Sequence, residues 1–310
     1  VKGLETASRF FCSELSRRAG ESPAGTASTG ANWFLLEYPH GWGRHALEDS
    51  ALSGDVKRFF DEATTRVPRS RVLFIKTDRG RRDACMNLFV VRCRERAPSV
   101  VRLRLEKYDD LLAVDLDAIV AGANLQGGEV MRGPLFLVCT HGKRDKCCAK
   151  FGLALYNSLR ETEGEAVWQS SHVGGDRFAA NLVCFPHGLF YAHMFDTEGK
   201  RVASEYRAGR IHLEKFRGRA CYAHHVQAAE VFARAESGID GLDRLRFHSS
   251  ERAGEKVWRV RFFEPGASRV HEARVSCRMS GFKNFITCHS EEERPVPQFT
   301  LDAYNIKPAP

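Results

Sequence analysis

Nowhere in this 310-residue chain does an apolar run approach the roughly 18 residues that a membrane-crossing helix needs, so no membrane role is expected. No secretory leader is expected ahead of the first folded stretch. The ten cysteines fall at irregular spacings, unlike the framework of a small disulfide-stapled domain, and Cys85, Cys93 and Cys184 lie inside apolar strand-like runs where buried free thiols are expected. A reducing cytoplasm is the compartment these features point to. Also missing are a Lys/Arg block interleaved with aromatics, a helix-turn-helix and a zinc-finger spacing, which argues against a nucleic-acid partner. Neither a nucleophile elbow nor a convincing carboxylate pair marks a hydrolase.

What is present is the composition of an ordinary globular protein, 43% hydrophobic and 28% charged, with length for about two domains. The formal charge of +8 would steer an acidic redox partner, and would equally aid solubility. Taken in order, residues 4–18 predict an amphipathic helix, 20–30 a loop, 33–37 a strand, 49–65 a helix and 71–76 a strand. A basic turn at 78–82, strands at 87–92 and 100–105 and a helix over 109–121 follow. Beyond the central stretch, 182–185 and 189–193 predict a hairpin, 201–216 a strand and connector, and 226–236 a helix. Residues 257–263, 271–279 and 282–288 alternate as strands do, and Pro295 and Pro297 are expected to end the ordered pattern.

Residues 134–194 carry the chemistry. The run Leu135–Val138 stops at Cys139, the pattern of a buried strand that hands its last side chain to a loop. After the polar loop THGKRDK, Cys148, Phe151, Leu155 and Leu159 fall at helical spacing, so Cys148 sits in the first turn, where the unpaired N–H groups and the macrodipole favour thiolate. A second strand at 166–170 runs into His172, and Gly174 and Gly175 bend the chain so that Asp176 returns. Cys139, Cys148, His172 and Asp176 are therefore four candidate metal ligands, with Cys147 the substitute for Cys148 in an alternative register. His141, Arg144 and Asp145 are expected to fix the loop by hydrogen bonds and an ion pair, and Arg177 to neutralise charge at the site or to be solvated. Cys277, Cys288 and His289 fit no zinc spacing and are expected to be isolated.

The motifs CTHGKRDKCCA at 139–149 and HVGGDRFAANL at 172–182, supported by WFLLEYPHGWGRHAL near the start and RGRACYAHHVQAAE later, resemble the sucrase/ferredoxin-like family. The resemblance implies an α/β fold with a thioredoxin-like ferredoxin domain, a [2Fe-2S] cluster, and electron transfer to or from a protein partner. In eukaryotic members the cluster is held by two Cys and by two His spaced H-x-x-x-H. Here Asp176 stands at the second His position, and three readings stay open: direct ligation, hydrogen bonding to His172, or an empty site. The expected organisation is a degenerate, cluster-free thioredoxin-like domain at 1–124, the ferredoxin domain at 125–215, and a helix and β-rich tail at 216–310. A faint duplication pairs 33–41 with 134–142 and 71–82 with 166–177, making Tyr38 and Thr77 the counterparts of Cys139 and His172. The competing functions are a thiol-disulfide redox protein using Cys147 and Cys148, and a metal-free adaptor whose cluster site has decayed.

Overall fold

A computed structural model of the chain describes residues 10–78, 85–123 and 127–309. Helix α1 (Cys12–Arg18) leads into strand β1 (Asn32–Glu37), whose six residues are all buried, as a strand covered on both faces must be. Helix α2 (Gly54–Arg66) crosses to β2 (Ser70–Lys76), parallel to β1; β3 (Met86–Arg92) then runs antiparallel beside β1, and β4 (Ser99–Leu105) antiparallel beside β3. Helix α3 (Leu116–Ala121) follows, and β5 (Gly128–Val130) adds to the edge at β4.

The same order then repeats. Strand β6 (Leu135–Cys139), helix α4 (Lys146–Glu163) and β7 (Val167–Ser170) form a parallel crossover, with β8 (Leu182–Phe185) antiparallel to β6 and β9 (Leu189–Tyr191) antiparallel to β8. Helix α5 (Gly199–Arg207) comes next, and β10 (Phe216–Arg219) adds to β9. All ten strands make one sheet ordered β10-β9-β8-β6-β7-β2-β1-β3-β4-β5, so each half repeats the other outward from the centre. The halves join through β2 and β7, antiparallel, at Ile75–Ser170 and Lys76–Gln169. That contact involves the C-terminal ends of both strands, which brings the loop after β1 beside the loop after β6.

Alternation along the strands divides the core. In β1, Phe34 and Leu36 face α2 and α3, while Trp33 and Leu35 face the opposite side. In β6, Phe136 and Val138 meet Leu155, Tyr156 and Leu159 of α4, whereas Leu135, Leu137 and Cys139 join the face shared with Trp33, Leu35, Cys12 and Cys288. One core therefore runs across both halves and takes in residues from near both ends of the chain.

Helix α6 (His224–Ser237) carries the chain to a separate four-stranded antiparallel sheet of β11 (Arg246–Gly254), β12 (Val257–Glu264), β13 (Arg269–Asn284) and β14 (Arg294–Pro308). The molecule is thus mixed α/β with a β-rich C-terminal portion. Several expected elements differ. Of the helix expected over 4–18, residues 4–9 lie outside the described residues, as does the basic turn at 78–82 apart from Asp78. The stretch read as a strand and connector at 201–216 is largely α5, because Val202, Ala203 and Tyr206 share one buried helical face. The helix expected over 109–121 is a 3₁₀ turn, Tyr108–Ala113, followed by α3, because the Asp115 side chain accepts the Ala118 N–H and starts a new helix. Strand β13 takes in the strand expected at 271–279 and continues without a break to Asn284, whereas residues 285–288, expected as strand, belong to the loop that follows it. Pro295 and Pro297 do not end the order: both lie in β14, an edge strand paired only with β13, where a missing N–H is tolerated.

Helix α6 is fixed to the large sheet by a fully buried ionic group. Glu230 Oε1 accepts from Arg219 Nε at 2.8 Å and Arg234 Nε at 3.0 Å, and Arg234 also donates to the carbonyls of Ile239 and Gly241 at 3.0 and 2.9 Å. Removing the shared carboxylate leaves two buried guanidinium groups uncompensated. Glu230→Gln should lower the unfolding free energy by about 3–5 kcal/mol, while Glu161→Gln, which breaks an exposed pair with Lys200, should cost less than about 1 kcal/mol; urea denaturation of the two variants measures both.

Candidate metal centre

Strand β6 delivers Cys139 to the C-terminal edge of the sheet, completely buried. The loop after it is fixed from within. The backbone N–H groups of Arg144 and Asp145 both donate to the His141 carbonyl at 3.1 Å, and Asp145 caps α4 by accepting the Cys147 N–H at 2.8 Å. The expected ion pair between Arg144 and Asp145 does not form among the described residues; Asp145 instead accepts a second backbone N–H, from Cys288, at 2.7 Å. Helix α4 passes close under the strand end, and a Cβ at Gly152 would lie 2.1 Å from the Cys139 carbonyl oxygen.

His172 and Asp176 flank the glycine bend. Gly174 and Gly175 have φ of +94° and +86°, and a Cβ on Gly174 would lie 2.1 Å from Ser28 Oγ. Buried Arg217 holds the bend, donating to the Gly174 carbonyl at 3.1 Å and to Asn181 Oδ1 at 2.7 Å, and Asn181 Nδ2 donates in turn to the Gly175 carbonyl at 2.9 Å. His141 orients His172: its Nδ1 accepts the His172 backbone N–H at 3.2 Å, while Nε2 donates to the Gly43 carbonyl, supplied by the loop after β1, at 2.5 Å.

Cys139, Cys148 and His172 present ligand atoms all within 4.8 Å of one another. Asp176 stands at the edge of this group, with Oδ1 3.2 Å from His172 Nδ1 and 3.9 Å from Cys148 Sγ. The 3.2 Å approach lacks hydrogen-bond alignment, so His172 Nδ1 is a buried nitrogen without a hydrogen-bond partner. An orphaned imidazole nitrogen beside two thiols suits a soft metal or an iron-sulfur centre. The alternative register is excluded, because Cys147 turns the other way, toward Cys12 and Cys288.

Burial and mutual hydrogen bonds shift these four groups in different directions. The hydrogen bond from Cys148, helped by one from His172, holds the Cys139 thiol well below its ordinary value, against the opposing effect of burial. Donating that hydrogen bond and being buried push Cys148 up. Burial works to lower His172, but its hydrogen bond to Cys139 and the charges of Cys139 and Asp176 outweigh it and raise the imidazole. Burial pushes Asp176 up to about 6, with His172 pulling the other way.

The basic residue adjacent in sequence is not the one that faces the site. Arg177 pairs with Glu21 at 2.5 Å, which corrects the expectation that it neutralises the centre or is solvated. Arg217 fills that position: burial and the neighbouring Arg177 push it down to about 9, while the charges of Cys139 and Asp176 favour its protonated form. Its only sequence signal is RGR at 217–219, which does not distinguish it from a surface arginine. Cys277 lies on β13, and of the trio expected to be isolated only Cys288 joins other thiols. In the first half, the Cys139 counterpart Tyr38 is a buried ring stacked on Phe74 at 4.7 Å.

Gly174→Ala should cost about 1–3 kcal/mol from backbone strain alone, with the Ser28 clash in addition, and should displace His172 and Asp176. Thermal unfolding and metal content of the purified variant test this; a Tm and a metal content equal to those of the parent protein would refute the requirement for glycine.

Comparison with characterised proteins and with solved structures yields no match. The profile described as "Sucrase/ferredoxin-like" matches residues 23–218, a span that contains both motifs and all four expected ligands. With more than half its length covered, the chain belongs to the sucrase/ferredoxin-like family.

Proposed function

We propose that the protein is a one-electron carrier whose centre is a [2Fe-2S] cluster held by Cys139, Cys148, His172 and Asp176. The observation that carries this reading is the meeting of Cys139, Cys148 and His172, with Asp176 at their edge, around a buried imidazole nitrogen that lacks a hydrogen-bond partner. When bound, such a cluster supplies reversible one-electron chemistry at a potential set by its ligands and surroundings. Relative to thiolate, the neutral imidazole of His172 removes one negative charge, and the carboxylate of Asp176 restores it. The centre should therefore be more reducing than one with histidine at both positions. Arg217 offsets part of that negative charge from inside the fold.

His172 retains a 19% exposed side chain. It borders a cleft of about 360 Å³ whose lining includes Arg44, Arg71 and Arg144 together with Glu48 and Asp61. The guanidinium groups would draw an acidic face of a redox partner toward the histidine. In this reading residues 125–215 form the thioredoxin-like ferredoxin unit, 1–124 a related unit without a cluster, and 216–310 an appended helix and β-rich portion. The repeated strand order supports the pairing of related units. Ten cysteines, all free, suit a reducing cytoplasm.

A thiol-disulfide role is less well supported: Cys147 and Cys148 are both fully buried and face different groups, so neither offers a sulfur to a substrate disulfide. A single zinc ion is the second reading, favoured by the close spacing of the three ligand atoms. Iron and acid-labile sulfide analysis, with electron paramagnetic resonance of the dithionite-reduced protein, separates the two. The expected result is two irons and two sulfides per chain, a cluster retained at higher potential in Asp176→His, and poor cluster retention in Asp176→Ala. Protein made with iron available but containing neither iron nor sulfide would overturn the cluster.

A further inference from the structure

A second group of thiols lies beside the first, and neither the family match nor the carrier reading uses it. Cys12 of α1, Cys147 of α4 and Cys288 of the loop between β13 and β14 place their sulfurs 3.6, 3.2 and 3.5 Å apart around a triangle, and the buried Asp145 carboxylate stands 3.9–4.0 Å from Cys12 Sγ. Cys12 and Cys288 lie outside the matched residues 23–218. We propose that these four side chains form a second, mononuclear metal site that takes a zinc ion and holds α1 and the loop between β13 and β14 to α4.

The spacing decides the chemistry. A disulfide needs sulfurs about 2.05 Å apart, and the closest pair here is 3.2 Å apart. A tetrahedral zinc ion with bonds of about 2.3 Å sets its sulfurs about 3.8 Å from one another, so the observed edges of 3.2, 3.5 and 3.6 Å need to open by only about 0.2–0.6 Å to admit it. The circle through the three sulfurs has a radius of about 2 Å, smaller than that bond length, so one ion reaches all three from just outside their plane. Three thiolates and one carboxylate complete four-coordination of a borderline-soft divalent cation, and the three thiol protons pass to solvent on binding.

The surrounding contacts hold this arrangement. Asp145 Oδ1 accepts from the backbone of Cys147 and Oδ2 from the backbone of Cys288, at 2.8 and 2.7 Å, so one carboxylate orients two of the thiol-bearing residues and keeps a lone pair free on each oxygen. The Cys12 backbone N–H donates to Cys288 Sγ at 3.5 Å, a contact that favours thiolate. All three cysteines and Asp145 are buried, Cys288 being the most exposed at 5%. Consecutive positions on a helix point about 100° apart, and Cys147 and Cys148 thereby serve two different groups. Phe10 stacked on Phe285 at 4.1 Å covers this end of the molecule.

Zinc analysis of protein purified under reducing conditions tests the site, using Cys139→Ser to disable the first centre and Cys288→Ser to disable the second. One zinc per chain should remain in Cys139→Ser and be lost in Cys288→Ser. Zinc-edge X-ray absorption of the unsubstituted protein gives a readout that does not depend on either variant folding: three sulfurs and one oxygen identify this site, whereas the first centre offers two sulfurs. Removal of the ion by a chelator should lower Tm. Protein without zinc, a coordination of two sulfurs or fewer, or a Cys147–Cys288 disulfide found by mass spectrometry would each overturn the proposal.

Discussion

The carboxylate of Asp145 sits at the junction of everything that gives this chain its chemistry. Fully buried, it accepts the first-turn N–H of Cys147 and the distant N–H of Cys288, so it starts α4 and anchors the C-terminal loop with the same group. A carboxyl group buried in such a place is tolerated because its oxygens are met by donors. Its position fixes the rotation of the first turn of α4. That rotation sends Cys148 toward Cys139 and His172 and Cys147 toward Cys12 and Cys288.

The larger frame is the antiparallel join of two similar halves. Because β2 and β7 meet at their C-terminal ends, the loop following β1 lies against the loop following β6, and the Gly43 carbonyl can hold His141, which in turn orients His172. The first half thus serves the centre although its own counterpart position holds Tyr38, packed on Phe74. The glycine bend is set by Arg217 from β10 and by Ser28 from the loop before β1, so segments from both halves position the stretch that carries His172 and Asp176. A buried arginine at that point supplies positive charge where two thiols and a carboxylate gather.

Local patterns were legible in the sequence and distant ones were not. The strand ending at Cys139, the helix beginning near Cys148 and the positive-φ glycines all announce themselves within a dozen residues, because burial periodicity and turn chemistry are local. Of the four side chains the family motifs pointed to, the fold groups Cys139, Cys148 and His172, with Asp176 beside His172 and Cys148. Cys12 and Cys288 gave no such signal: 276 residues separate them, and only the wrapping of the C-terminal loop onto α1 joins them. Arg177 misled for a related reason, since nearness in sequence says little about direction after a tight bend, and Glu21 captures it. The prolines of β14 misled because proline excludes a central strand but not an edge, and edge position is set by tertiary structure.

The central claim is that Cys139, Cys148 and His172 converge on one redox centre with a single nitrogen donor. Pulsed electron paramagnetic resonance of the reduced protein reads that nitrogen directly. The account predicts coupling from one imidazole nitrogen that disappears in His172→Ala. A spectrum with no nitrogen coupling, or with two equivalent nitrogens, would contradict it.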